Sequence, residues 1–166
     1  TAEKRDAYNS LSWSKDSKSL MINSRMQLDI ASREFISIAV ESYTPFIRSK
    51  FMDNSYIVQM KNDEYNDMIA LYDFSTKEFT SIANGIYTDS DNSYLLYTKD
   101  YMSGLNAVSL KTLESKSINN GPIYCSYIIK STGDIIYSTI NNNLDSSYRY
   151  LLVKVNPNTM TETSIS

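Results

Sequence analysis

The chain has 166 residues, of which 42% are hydrophobic and 21% charged, and its formal net charge is −3. This length predicts one domain, 1–166, that buries about two thirds of the surface of its unfolded chain. The weak negative charge excludes the basic surface that nucleic-acid binding needs, and no apolar run approaches the roughly 18 residues of a membrane span. We therefore predict no nucleic-acid partner and no membrane-spanning segment.

Two scarce residue types restrict the chemistry of the chain, which has no histidine and four glycines. Ser-His-Asp and Cys-His catalysis and histidine-ligated zinc are excluded, and neither GxxxxGK[ST] nor GxGxxG occurs. We predict that the chain is not itself an enzyme and holds no cofactor and no metal ion. Cys125, in PIYCSYIIK, is expected to be a buried small hydrophobe. A chain that begins at Thr1 rather than at methionine is expected to be a trimmed piece of a longer protein.

A polar turn followed by a short apolar strand occurs four times along the chain. In chain order the copies are KDSKSLMI from Lys15, MDNSYIVQ from Met52, SDNSYLLY from Ser90 and STGDIIYS from Ser131. With Ser19, Ser55, Ser93 and Asp134 taken as equivalent, the copies lie 36, 38 and 41 residues apart. A hairpin pattern interleaves with them: QLDIASREF, ALYDFSTKEF, AVSLKTLES and LVKVNPNTMTE. Such a period is typical of a repeat architecture.

Together the two patterns predict four units of four strands each, at about 8–41, 43–83, 85–118 and 121–166. The predicted strands of the first two units are SLSWS, SLMINS, RMQLDIA, EFISIAV, PFIRSKF, SYIVQM, DMIALYDF and EFTSIA. Those of the last two are GIYTDS, YLLYTK, LNAVSL, ESKSI, IYCSYII, DIIYST, YRYLLVKV and TETSIS. The abundance of Tyr, Ile, Ser and Thr favours strands throughout.

A four-stranded antiparallel sheet that repeats every 40 residues or so is the blade of a β-propeller. We therefore predict an all-β chain with four such blades. One blade cannot bury both of its faces, so neighbouring blades must stack and share a core. Trp13, at the end of the first strand, is expected to cover the seam between blades. Phe51 and Ile129 are expected to hold the comparable places in the second and fourth units.

The stretch LSWSKDSKSLMI resembles the W-S-P-D-G-K-x-L-x-F element of TolB-type propeller repeats, which dipeptidyl-peptidase propellers share. The matching residues are Trp13, Ser14, Asp16, Lys18 and Leu20. Lys15 and Ser17 stand where the pattern has proline and glycine. The other three repeats keep the spacing of turns and strands but not the residue types. The resemblance therefore implies a fold for the whole chain, and it implies an extracytoplasmic location.

Three assemblies are compatible with four blades. The chain is a closed four-bladed ring, an open arc of a larger propeller, or half of an eight-bladed dimer. An open arc exposes apolar blade faces at its two ends, which a partner or self-association must cover. We favour a part of a larger propeller or an assembly of such parts.

In propellers, as the resemblance implies, ligands meet the loops at the ends of the central channel. Here the loops between second and third strands are NSR, KNDEYND, KDYMSG and NNNLDSS. Tyrosine among charges suits contacts with proteins or carbohydrates, because it offers a rigid amphipathic surface. The candidate binding residues are therefore Arg25, Asp63, Glu64, Tyr65, Asp67, Asp100, Tyr101, Asn142 and Asp145.

The function that these observations favour is a non-catalytic propeller module within a larger protein, which binds a protein partner or associates with itself. One alternative is an accessory propeller of a hydrolase or peptidase that gates substrate for a catalytic domain elsewhere. A second alternative is a carbohydrate- or cell-wall-binding module that uses the tyrosine-containing loops.

Overall fold

The computed structural model describes residues 11–22, 26–38, 48–52, 55–61, 66–100, 103–141 and 149–165, and these form sixteen β-strands. The chain divides into two compact units, Thr1–Ile82 and Ala83–Ser166. Each unit contains two four-stranded sheets, apart from the last residues of one strand that cross the boundary.

The first unit holds two sheets. The first consists of β1 (Leu11–Trp13), β2 (Ser19–Ile22), β3 (Met26–Asp29) and β4 (Phe35–Ser37). The second consists of β5 (Arg48–Phe51), β6 (Ser55–Lys61), β7 (Asp67–Asp73) and β8 (Phe79–Asn84).

The second unit holds the other two sheets. The third sheet consists of β9 (Ile86–Ser90), β10 (Tyr94–Thr98), β11 (Ser103–Ser109) and β12 (Ser115–Pro122). The fourth consists of β13 (Cys125–Ile128), β14 (Ile135–Ile140), β15 (Tyr150–Asn156) and β16 (Thr161–Ile165).

In every sheet the strands lie side by side in the order in which they follow along the chain. Neighbouring strands run antiparallel wherever their register is defined. In the first sheet, for example, Leu20 lies opposite Trp13 on one side and Leu28 on the other. Four antiparallel four-stranded sheets in an all-β chain confirm the predicted fold class.

The turn between third and fourth strands has one geometry in all four sheets. Its first residue accepts a hydrogen bond through a side-chain oxygen from a backbone N–H two or three residues later. These first residues are Asp29, Asp73, Ser109 and Asn156. The residue four positions later has a φ near +60° and donates its backbone N–H to the carbonyl of the first. These are Arg33, Lys77, Leu113 and Met160. A left-handed residue at this point is the usual position of glycine, because other side chains crowd the backbone there.

The first hairpin turn explains the TolB-like element. Asp16 accepts hydrogen bonds from the hydroxyl of Ser14 and from the backbone N–H of Lys18, at 2.7 and 3.1 Å. These bonds hold the pKa of the Asp16 carboxyl below its ordinary value, and the bond from Ser14 is the largest cause. Ser17 has a φ of 59°, so it stands in the conformation that glycine provides in the TolB-type pattern.

Each unit has its own apolar core. The core of the first unit contains Met21, Ile38, Tyr56, Val58, Met60, Ala70 and Tyr72. Side chains of the third and fourth sheets form the core of the second unit: Leu96, Leu105, Ala107, Ile118, Ile123, Ile128, Ile135, Tyr137, Val153 and Val155. The third and fourth sheets therefore stack face to face, since both contribute buried side chains to the same cluster.

Hydrogen bonds between first strands reinforce this stack. The hydroxyl of Ser126 on β13 donates to the Thr88 hydroxyl on β9 at 2.8 Å, and the backbone N–H of Ile128 donates to Oδ2 of Asp89 at 2.9 Å. Asp89 and Asp91 belong to the same polar run but act differently, because Asp91 accepts from the backbone N–H groups of Ser93 and Tyr94 within its own turn.

Three expectations about single side chains are wrong. Trp13 is 57% exposed rather than packed in a seam. Cys125 is exposed, because alternation along β13 turns Ser126 and Ile128 toward the core and Cys125 away from it. The fourth-sheet residue equivalent to Trp13 is Ile128, not Ile129, since Ile128 pairs with Ile135 as Trp13 pairs with Leu20.

Candidate functional site

Most of the predicted binding residues lie outside the residues that the structure describes. These are Arg25, Asp63, Glu64, Tyr65, Tyr101, Asn142 and Asp145. The strand bounds place all four predicted loops between the second and third strands of their sheets. The predicted contact role of these residues stays a prediction.

Asp67 is the first residue of β7 and lies opposite Lys61 on β6. Its carboxylate accepts a hydrogen bond from Nε2 of Gln59, at 3.0 Å. Gln59 is buried, so the carboxylate of Asp67 accepts a hydrogen bond from a polar side chain that has little access to water. Asp100, by contrast, is exposed and lies in the loop that follows β10.

An exposed cluster of two tyrosines and an arginine flanks the loop between β14 and β15. The rings of Tyr124 and Tyr150 meet edge to face with their centroids 4.8 Å apart, and the Arg149 guanidinium lies 5.8 Å from the centre of the Tyr150 ring. All three residues are exposed. Tyrosine and arginine dominate the energetically important positions of protein interfaces. We call Tyr124, Arg149 and Tyr150 the aromatic cluster.

A cleft of about 440 Å³ lies beside this cluster, between the edge of the third sheet and the strands of the fourth. Its lining residues are Asn119, Asn120, Gly121, Pro122, Tyr137, Thr139, Ile140, Leu151, Val153 and Glu162. The hydroxyl of Thr139 donates to the carbonyl of Pro122 at 2.7 Å and so ties the two walls together. We call this cavity the interblade cleft.

Asn119, Tyr137 and Glu162 form a short chain of hydrogen bonds in the cleft, which we call the relay. Nδ2 of Asn119 donates to the Tyr137 hydroxyl at 3.2 Å, and that hydroxyl donates to Oε1 of Glu162 at 3.4 Å. Burial raises the pKa of the Tyr137 phenol, the bond from Asn119 lowers it, and the carboxylate of Glu162 raises it. The phenol is therefore protonated at neutral pH and acts as a donor. Tyr137 is almost fully buried, so the Asn119 amide and the Glu162 carboxylate are the groups of this set that can meet a ligand, and they suit a neutral one rich in hydroxyl groups.

Sequence reasoning missed both sites for a physical reason. Glu162 lies in a predicted strand and Asn119 directly follows one, so neither has a signal of its own in the sequence. Asn119 reaches Tyr137 only because the third and fourth sheets stack, whereas Glu162 reaches it across the fourth sheet itself. The aromatic cluster has a weak signal in the sequence, since Arg149 and Tyr150 immediately follow the predicted loop NNNLDSS. Tyr124 precedes β13 and joins them only through the sheet.

In the described part of the chain, no three Cys, Asp or Glu side chains are grouped so that they could hold a metal ion. Nor do the described residues include a helix that is long and apolar enough to cross a membrane.

Comparisons with known proteins define the fold further. No family model matches the chain, and no curated protein matches it. Among solved structures, an oligogalacturonate lyase in complex with manganese superimposes with a TM-score of 0.72 at 11% identity, over 93% of this chain and 51% of the lyase. TolB from Acinetobacter baumannii gives 0.63 at 14% identity, over 95% of this chain and 42% of TolB.

The fold is that of a β-propeller. A third similar structure, the tricorn protease, gives a TM-score of 0.68 at 12% identity over 93% of this chain and 16% of the protease. These neighbours confirm the TolB-type and peptidase-type resemblance, and the four sheets are propeller blades. The identities establish the fold alone. The chain spans about half the length of the lyase and less than half that of TolB.

Proposed function

We propose that this chain is a non-catalytic β-propeller module that binds another protein through the blade ends carrying the loops between second and third strands. The aromatic cluster is the observation that carries the proposal. Its three side chains lie at such a loop end, are exposed, and combine the two residue types that most often anchor protein interfaces. The predicted residues Arg25, Tyr65, Tyr101 and Asp145 belong to loops of the same kind.

The module belongs to a larger, extracytoplasmic protein in this proposal. The similar lyase is about twice as long as this chain, which supports a larger protein. The argument for the location is the TolB-like element alone.

The test is affinity enrichment with the wild-type chain and with Tyr124→Ser/Tyr150→Ser, which removes both rings. A protein partner recovered with the wild type should be lost with the double variant. Met160→Ser is the matched control, because Met160 is an exposed apolar residue at the opposite end of the same sheet. Equal recovery with all three chains would contradict the role of the cluster.

The interblade cleft favours one alternative function, the binding of a carbohydrate. The Asn119 amide group supplies a donor and the exposed Glu162 carboxylate an acceptor, and Tyr124 and Tyr150 offer exposed rings nearby. A glycan array with the wild-type chain, Asn119→Ala and Glu162→Gln tests this alternative. A genuine site gives a sugar signal that both substitutions weaken, while Glu114→Gln on the neighbouring turn leaves it unchanged.

A further inference from the structure

One face of the first sheet carries apolar side chains on all four strands, and Ser37 on β4 is its polar member. Strand pairing puts two rows of side chains on this face: Trp13, Leu20, Leu28 and Phe35 in one row, and Leu11, Ile22 and Met26 in the other. Leu11, Trp13 and Phe35 are 64%, 57% and 62% exposed. We call these seven residues the Trp13 face. Met21 points to the opposite face and is buried in the core of the first unit.

The fourth sheet has an equivalent face, and there the face is buried. In both sheets an equivalent backbone bond encloses four residues between the first and second strands. It runs from the Ser14 N–H to the Ser19 carbonyl in the first sheet and from the Ile129 N–H to the Asp134 carbonyl in the fourth. The strand pairs then align residue by residue. Trp13, Leu20, Leu28 and Met26 correspond to Ile128, Ile135, Val155 and Val153.

Every one of those fourth-sheet residues is buried against the third sheet, and Ile128 is 6% exposed. Ser126, the equivalent of Leu11, is buried as well and bonds across to Thr88. The first sheet therefore carries apolar residues at the positions that the fourth sheet buries in a blade contact. An exposed apolar surface of this extent marks an interaction site. The chemistry that matches it is the face of another propeller blade.

We propose that the Trp13 face is covered by the outer face of the fourth sheet of a second copy of this chain. That outer face is the counterpart of the third-sheet face that covers β13–β16. Ile136 and Leu152 stand where Leu96 and Leu105 stand in the third sheet, by the same pairing argument. Leu96 and Leu105 are fully buried, whereas Leu152 is 38% exposed.

One more observation favours a second copy. Lys154 occupies the place of the buried Ala107, but its ammonium group lies 3.3 Å from the Asp134 carboxylate, so its charge is already paired. This head-to-tail contact does not depend on the loop surface proposed above to bind another protein.

The single tryptophan makes the proposal directly measurable. The chain has a mass of 19.0 kDa, and sedimentation should give twice that mass at micromolar concentration. On dilution the Trp13 emission should shift to longer wavelength as the dimer separates and water reaches the ring. Phe35→Ser should weaken dimerisation at least tenfold. Ile30→Ser is the control, because Ile30 is exposed on the turn of the same sheet and lies outside the face.

A mixing experiment separates this pairing from every other. Phe35→Ser damages the Trp13 face and Leu152→Lys the opposite face, so each variant alone should be monomeric. A mixture retains one intact contact, between the Trp13 face of the Leu152→Lys copy and the fourth sheet of the Phe35→Ser copy, and should associate. A wild-type monomer with solvent-exposed Trp13 at every concentration overturns the proposal. So does a Leu152→Lys chain that dimerises normally, because the Trp13 faces would then pair with each other. If Phe35→Ser fails to fold, Leu11→Ser takes its place in the mixture.

Discussion

The backbone N–H of Ile128 donates a hydrogen bond to Oδ2 of Asp89, 2.9 Å away, and this bond joins the first strand of the fourth blade to that of the third. A hydrogen bond to a carboxylate inside a stacked interface leaves an unsatisfied amide when it is lost. We expect Asp89→Ala to lower the free energy of unfolding by about 1–3 kcal/mol.

Urea denaturation of the wild type, Asp89→Ala and Glu114→Ala measures this effect. Glu114 is an exposed turn residue of the same sheet and should change stability by less than about 0.5 kcal/mol. Equal stability of Asp89→Ala and the wild type would show that the contact between first strands contributes nothing.

The left-handed residue of the third-to-fourth-strand turn predicts a gain in stability. Lys77 and Leu113 have φ values of 61° and 59°, a conformation that costs a side-chain residue about 1–2 kcal/mol. Glycine removes that cost but adds backbone entropy to the unfolded chain, so Lys77→Gly and Leu113→Gly should each stabilise by about 0.5 kcal/mol. Lys111→Gly, in the same turn without a positive φ, should destabilise. Thermal unfolding compares the three variants. A shift of all three melting temperatures in the same direction would contradict a cost of the positive φ.

Gly85 admits no side chain. A Cβ there would lie 2.3 Å from the Thr98 carbonyl oxygen and 2.7 Å from Cδ2 of Tyr97, and its φ is +150°. The close approach coincides with the shift of register between β9 and β10 at Leu96/Tyr97. Gly85→Ala should cost more than about 2 kcal/mol of unfolding free energy. Gly133→Ala meets no atom within 4 Å and should cost only the strain of its φ of +72°, so chemical denaturation should rank the two variants in that order.

Acid should weaken the second blade through Asp73. The hydroxyl of Ser75 and the backbone N–H groups of Ser75 and Thr76 hold the pKa of the Asp73 carboxyl below its ordinary value. A depressed folded-state pKa stabilises the fold above the unfolded pKa of about 3.9, and that stability is lost as the pH falls through the folded-state pKa. Asp73→Asn keeps the turn, as Asn156 does in the fourth sheet, but does not titrate.

The measurement is urea stability of the wild type and Asp73→Asn at pH about 6 and about 2.5. The wild type should lose more stability between these two values than the variant does. Parallel losses would contradict a contribution from this carboxylate.

The sequence was a good guide to the strands because turns and strands alternate along it. Ser17 shows how far this extends, since the TolB-like pattern predicted a glycine-type position and the chain adopts a positive φ there with serine. The equivalence of Ser19 and Asp134 is also correct, because both accept the bond that closes a four-residue loop. Ser93 is displaced by one, because the third sheet closes a shorter loop with Tyr94.

The sequence was a poor guide to which faces of the sheets are covered by other sheets. Trp13 and Cys125 were both expected to be buried because apolar residues usually are, but local pattern shows which side of a strand is apolar and not whether another sheet covers it. The relay in the interblade cleft joins residues 18 and 25 positions apart from Tyr137, in two sheets. Stacking of the third and fourth sheets brings Asn119 to Tyr137, and the pairing of strands within the fourth sheet brings Glu162 to it.

The stacking of blades through their first strands is the claim on which the propeller account depends most, and an engineered disulfide tests it. The hydroxyl oxygens of Thr88 and Ser126 are 2.8 Å apart, so we expect the sulfur atoms of cysteines at these two positions to come within reach of each other. Thr88→Cys/Ser126→Cys, with Cys125→Ser to remove the native thiol, should oxidise in air to an internal disulfide visible by mass spectrometry. Thr88→Cys with native Cys125 should remain a dithiol, because Cys125 points to the opposite face of β13. A first pair that stays reduced while the second pair oxidises would contradict the stacking.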